Sequence, residues 1–139
     1  MIRFTVIFFL LCSLGALGAW IIWEIQQDYY IEVRSKPKKY AYHEYKGLAW
    51  DALMADYPEC VAEILQYYKL RKHDESTVYV PPCVTRGVSP DSPVYVINYL
   101  EDSSVAEIVF FEIRASKETH VNGYVPSISL HDQPPSHKE

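Results

Sequence analysis

The apolar positions follow three different rhythms along the chain. The first is an unbroken run: Phe4 to Trp23, FTVIFFLLCSLGALGAWIIW, holds twenty residues and no charge. As a helix rising about 1.5 Å per residue it spans roughly 30 Å, the thickness of a bilayer's hydrocarbon core. Trp20 and Trp23 fall at its far end, where amphipathic rings favour the headgroup level. The rival reading is a cleaved signal peptide, with Ala16-Leu17-Gly18 as the small-residue cleavage site. The apolar run continues past that site through Ile21 and Ile22, longer than a signal core needs, and this favours an uncleaved anchor over residues 1–23.

The second rhythm is helical. Ile25, Tyr29 and Val33 recur every four residues until Pro37, which drives the residue before it out of the helical region. Residues 24–40 read as a stalk and linker. A helix is then expected over about His43–Ala55, with Tyr45, Leu48, Ala49, Ala52 and Leu53 on one face, although Gly47 interrupts it. A second helix opens at "DYPE", with Asp56 as N-cap, Pro58 in the first turn and Glu59 at the capping-box position. Its stripe is Val61, Ile64, Leu65 and Tyr68, and Arg71, Lys72 and His73 end it where cations suit the helix dipole.

The third rhythm is that of strands. "TVYV" (77–80) stops at Pro81-Pro82, and "VYVINYL" (94–100) and "VAEIVFFEI" (105–113) form a hairpin across "EDSS". The second arm is apolar on both faces around Ile108 to Phe111, as a central strand requires. "THVNGYVPSISL" (119–130) centres on Asn122-Gly123, the dipeptide preferred in two-residue type I′ turns. Helices followed by strands imply an α+β fold. The expected architecture is an N-terminal transmembrane helix, then a two-helix segment packed on a four- to five-stranded antiparallel sheet. The domain covers residues 41–130, and residues 131–139 form a disordered tail.

Charge bears on placement. The formal net charge is −5, which gives no basic face for nucleic acid. Arg3 lies before the apolar run, while Glu24 and Asp28 follow it closely, a pattern that retains the N-terminus and exports the rest. Arg34, Lys36, Lys38 and Lys39 pull the other way from farther off. The nearer charges favour a single-pass protein of the inner (plasma) membrane, its C-terminal domain in the periplasm or otherwise outside the cytoplasm. Neither Asn98 nor Asn122 stands in an Asn-x-Ser/Thr sequon, which leans towards a bacterial envelope.

Candidate chemistry is sparse. The five histidines include no His-Glu-x-x-His pair, and no Gly-x-Ser-x-Gly elbow or glycine-rich phosphate loop occurs. The chain is therefore expected to need no cofactor or metal and to be non-catalytic. Cys60 and Cys83 lack a Cys-x-x-Cys spacing and histidine partners at zinc-finger spacing. That leaves a disulfide or two buried thiols, and outside the cytoplasm the disulfide is favoured. Twelve tyrosines are the compositional oddity. Tyr40, Tyr42, Tyr45 and Tyr67 are the candidate contact surface, because tyrosine suits interfaces with one dry and one wet end. Half-exposed core is the competing use for them. Within the anchor, Gly15 and Ala19 have the small-xxx-small spacing that lets two helices approach, a route to a homodimer.

In architecture alone, such a chain is similar to periplasmic immunity proteins against toxins and to small accessory subunits of envelope complexes. The expected function is protein binding, as an inhibitor or immunity factor or as an accessory subunit. The alternative is a small-molecule-binding domain or minimal enzyme, with Tyr95, Tyr99, Phe110 and His120 lining a pocket between helices and sheet.

Overall fold

The computed structural model describes residues 2–73 and 79–136. They fall into two units, residues 1–35 and 36–139. The first is a single helix, α1 (Ile2–Ser35), long and apolar enough to cross a membrane. It runs on past Trp23 through Ile25, Tyr29 and Val33, as their four-residue spacing implies, and ends just before Pro37. Ser13 Oγ donates to Leu10 O at 2.9 Å, so the one hydroxyl in mid-run is satisfied within its own helix.

The second unit contains β1 (Lys38–Tyr45), β2 (Leu48–Ala55), α2 (Cys60–Arg71), β3 (Val84–Val88), β4 (Pro93–Leu100), β5 (Val105–Arg114), β6 (Lys117–Pro126), a 3-10 turn (Ser127–Ser129) and β7 (Leu130–His131). It is α+β, and its described residues form one helix and seven strands rather than two helices and four or five strands. The expected helix over His43–Ala55 is instead the β1–β2 hairpin. Lys46 (φ 51°) and Gly47 (φ 75°) turn it in the left-handed region, a conformation glycine adopts without cost. Helical spacing was mimicked here because Ala52 to Ala55 face apolar surroundings on both sides of the strand, which blurs the two-residue period.

All strand pairs are antiparallel, in the order β3-β2-β6-β5-β4-β1-β7, and β1 also pairs β2. Five strands thus close a ring, β1-β2-β6-β5-β4. An odd ring of straight strands cannot be antiparallel at every step, so the bending is shared out. β1 pairs β4 through Lys38–Tyr40 and β2 through Tyr42–Tyr45. β2 pairs β1 up to Asp51 and β3 from Ala52 onward, and it meets β6 only at Ala55↔Tyr124. β5 is the central strand that its two-faced apolar run requires, flanked by β4 and β6.

Asn122-Gly123 is not the turn. It sits inside β6, opposite Val109 and Ile108, and Ala115-Ser116 makes the bend with φ of 49° and 64°. Gly123 is needed for a different reason. A Cβ there would lie 2.7 Å from Met54 Sδ and 2.8 Å from the Ala55 carbonyl oxygen, so β2 can cross onto β6 only over a glycine.

The ring core is aliphatic: Ala41, Ala52, Met54, Val88, Val94, Val96, Ala106, Ile108, Phe110 and Val125 pack together. α2 packs on β2 and β6 over a smaller cluster of Ala55, Cys60, Ile64 and Tyr68. The Cys60–Cys83 disulfide, Cα atoms 6.0 Å apart, ties the start of α2 to the residue before β3. Asp56 does not cap α2. The helix opens from turn hydrogen bonds, Cys60 N to Tyr57 O and Val61 N to Pro58 O, while Asp56 accepts from Thr85 Oγ1 at 3.4 Å. The expected strand at 77–80 lies partly outside the described residues, and Tyr79 and Val80 belong to no strand.

The first residues of the expected tail make contacts with β1. β7 pairs β1, the His131 ring stacks on Tyr42 at 3.8 Å, and Asp132 ion-pairs with Lys39. An aromatic face and a cation on β1 give this stretch, which has no apolar pattern of its own, something to hold. Residues 137–139, with His137, lie outside the described residues.

Candidate functional site

Residues directly opposite each other in an antiparallel pair share a face. Tyr45↔Leu48 and His43↔Trp50 are such pairs, so these four side chains stand on one side of the hairpin. By the two-residue period this side continues that of Ala41 and Ala52, which belong to the ring core. Towards the turn the aliphatic residues run out, and the side chains of α2 meet the aromatic ones.

Two stacks result. His43 lies flat on Tyr68, centroids 3.9 Å apart and planes within 3°. The Tyr68 hydroxyl accepts the Leu53 N–H at 2.8 Å, which fixes the ring between helix and strand. Burial raises the Tyr68 pKa, opposed in part by that N–H. Burial also lowers the His43 pKa, and the neighbouring Lys72 and Arg71 lower it further. Among the described residues, His43 Nε2 and Ser127 Oγ are buried without a hydrogen-bond partner.

The second stack is half-buried, with Trp50 its exposed member. The Arg71 guanidinium lies over both the Trp50 ring (4.7 Å) and the Tyr45 ring (5.3 Å). Lys46 Nζ stands 5.3 Å from the Tyr45 ring, and the Tyr45 hydroxyl donates to the Arg71 carbonyl at 3.3 Å. Trp50 remains 42% exposed and Leu48 61% exposed. Each cation–π contact of this partly wet kind is worth about 0.5–1 kcal/mol. The other side of the hairpin is acidic: Glu44, Ala49, Asp51 and Asp91 line a concavity of about 600 Å³. Among the described residues no three of His, Cys, Asp or Glu come together as a metal-binding set.

The expected contact tyrosines are not brought together. Tyr45 belongs to the second stack. Tyr40 is half-buried between β4 and β7, opposite Pro93 and His131. Tyr42 is only 6% exposed, covered by His131, and donates its hydroxyl to Gln133 O at 3.3 Å. It is core, because β7 and the tail lie over that side of β1. Tyr67 is half-buried and tilted against Tyr68, centroids 6.0 Å apart. Nor do Tyr95, Tyr99, Phe110 and His120 share a pocket. Phe110 is in the ring core, and Tyr95 packs edge-on against Phe111, whose side chain points to the opposite face. Tyr99 and His120 are exposed.

Sequence reasoning missed Trp50, Arg71 and Leu48. Lys46-Gly47 followed by alternation at Leu48, Trp50, Ala52 and Met54 was the available signal for a hairpin. Read that way, it puts Trp50 on the same face as Tyr45. No protein-family model matches the chain, no curated protein is similar to it, and no solved structure matches it.

Proposed function

We propose that this chain is a single-pass protein of the inner (plasma) membrane, anchored by residues 4–23, whose domain outside the cytoplasm binds another protein. It acts there as an inhibitor or immunity factor, or as an accessory subunit of an envelope complex, and carries out no chemistry of its own. The observation that carries this reading is the Tyr45–Arg71–Trp50 stack with exposed Leu48 beside it. Trp, Tyr and Arg are enriched among the residues that dominate the binding energy of protein interfaces, and here they cluster around a half-exposed indole. The Cys60–Cys83 bond supports a compartment outside the cytoplasm, where disulfides persist.

The test is site-specific crosslinking in intact cells, with a photoreactive amino acid at Leu48. Discrete protein adducts, lost when the same probe replaces Ile113 on the β5–β6 hairpin, are expected. Adducts to lipid alone, or none, would sink the reading. A C-terminal alkaline phosphatase fusion checks the side: it should be active, and an inactive fusion places the domain in the cytosol.

A further inference from the structure

The protein is acidic overall, yet the charged groups that the described residues bring to the aromatic face of the hairpin are basic. Arg71 lies against Trp50, Lys46 against the Tyr45 ring, and Lys72 close to His43. Among the described residues no carboxylate forms an ion pair with the Arg71 guanidinium. Its Cζ lies within cation–π distance of both the Trp50 and the Tyr45 ring. Contacts of this kind restrict the side chain's swing and consume none of its five N–H donors. The guanidinium is preorganised for two parallel hydrogen bonds to a planar carboxylate. Trp50 and Leu48 supply apolar surface on the adjoining strand.

Resting on the reading of this domain as a protein-binding module, we propose that its partner presents an acidic segment. In that segment a Glu or Asp carboxylate pairs with Arg71, and a neighbouring apolar side chain rests on Trp50 and Leu48. Charge complementarity decides the occupant. A basic segment would meet Lys46, Arg71 and Lys72, and like charges brought together oppose binding. Such a segment would instead suit the Glu44, Asp51 and Asp91 side of the hairpin.

The probe is a decapeptide alternating Glu and Leu, added to the detergent-solubilised full chain. Its counterparts carry Gln or Lys in place of Glu. The readout is the fluorine NMR signal of 5-fluorotryptophan at Trp50, in a chain with Trp20→Phe and Trp23→Phe in the anchor. The Glu peptide is expected to shift the signal saturably, with at least tenfold weaker effect for the Gln peptide and none for the Lys peptide. Arg71→Gln should weaken the Glu peptide about tenfold, the scale of losing a charge-assisted hydrogen bond. Arg71→Lys should recover only part of that, since it restores charge without the planar fork. Equal binding of the Gln and Glu peptides, no loss in Arg71→Gln, or stronger binding to phosphatidylglycerol vesicles than to the Glu peptide each overturn the inference. The two readings fail separately. Crosslinked protein adducts at Leu48 with no acid selectivity remove this inference alone, whereas absent adducts remove the binding function itself.

Discussion

The ring and the helix layer solve the same problem by different means. Inside the ring, ten side chains from six strands pack together, nearly all Ala, Val or Ile, with one Met and one Phe. Under α2 only four buried residues form the cluster. They are supplemented by a disulfide, an aromatic stack and a hydroxyl-to-backbone hydrogen bond. A closed sheet satisfies its own backbone and needs only small side chains that fit. One twelve-residue helix buries too little to hold itself, so it is tied down covalently and by specific polar contacts.

That contrast is most directly broken at Gly123. In Gly123→Ala, Met54 can swing aside but the Ala55 carbonyl cannot, and Ala55 is the only place where β2 meets β6. A loss of about 3 kcal/mol is expected, with the whole domain unfolding as one unit in a thermal melt. A fall of under 1 kcal/mol would mean that closure at Ala55 is dispensable. The disulfide should matter nearly as much, but locally. Cys60→Ala with Cys83→Ala is expected to cost about 3 kcal/mol on the loop-entropy argument. Its hydrogen exchange should rise in α2 before it rises in β5. Simultaneous loss of protection in both would show that the layers do not differ.

Smaller changes sharpen the picture. Tyr68→Phe keeps the ring stacked on His43 but leaves the Leu53 N–H without its acceptor, and about 1–2 kcal/mol should be lost. In the opposite direction, replacing Ala115-Ser116 with Asn-Gly relieves two left-handed residues. It should add about 1 kcal/mol, read as a raised unfolding midpoint. The subtlest effect is one of pH. Because the His43 pKa is depressed in the folded chain, the neutral ring contributes stability that is fully present above the ordinary value of 6.5. That stability declines as pH falls below 6.5 towards the folded-state pKa. His43→Phe, which preserves a flat ring on Tyr68, should show a smaller decline over the same window. Identical pH curves for the two chains would remove His43 from the account.

The long apolar helix, the stripe of α2 and the central place of β5 were legible in the sequence because each depends on local pattern alone. The hairpin at Lys46-Gly47 was obscured by residues that are buried on both sides. Asn122-Gly123 misled for a related reason: the dipeptide carries a strong local preference, but contact with Met54 and Ala55, nearly seventy positions earlier, explains the glycine. The candidate site was half-legible. Tyrosine abundance pointed to Tyr45, yet which tyrosines stay exposed depends on where β7 and α2 come to rest. Only the fold shows that Tyr42 lies under His131 and that Arg71 reaches across to Trp50.

The divided pairing of β1 has a consequence in time as well as in space. The ribosome makes this strand first, yet its partners include Val94 and Tyr95 on β4 and Leu130 and His131 on β7. At about 5–20 residues per second, roughly 5–20 s separate the synthesis of β1 from that of β7. Until β4 is made, β2 is the only one of its described partner strands that β1 can meet, and its first half must wait with open backbone groups. Lys36, Lys38 and Lys39 sit at that waiting end. Positive charge is a common guard on an unpaired edge, and these lysines lie where the strand waits longest for its partners.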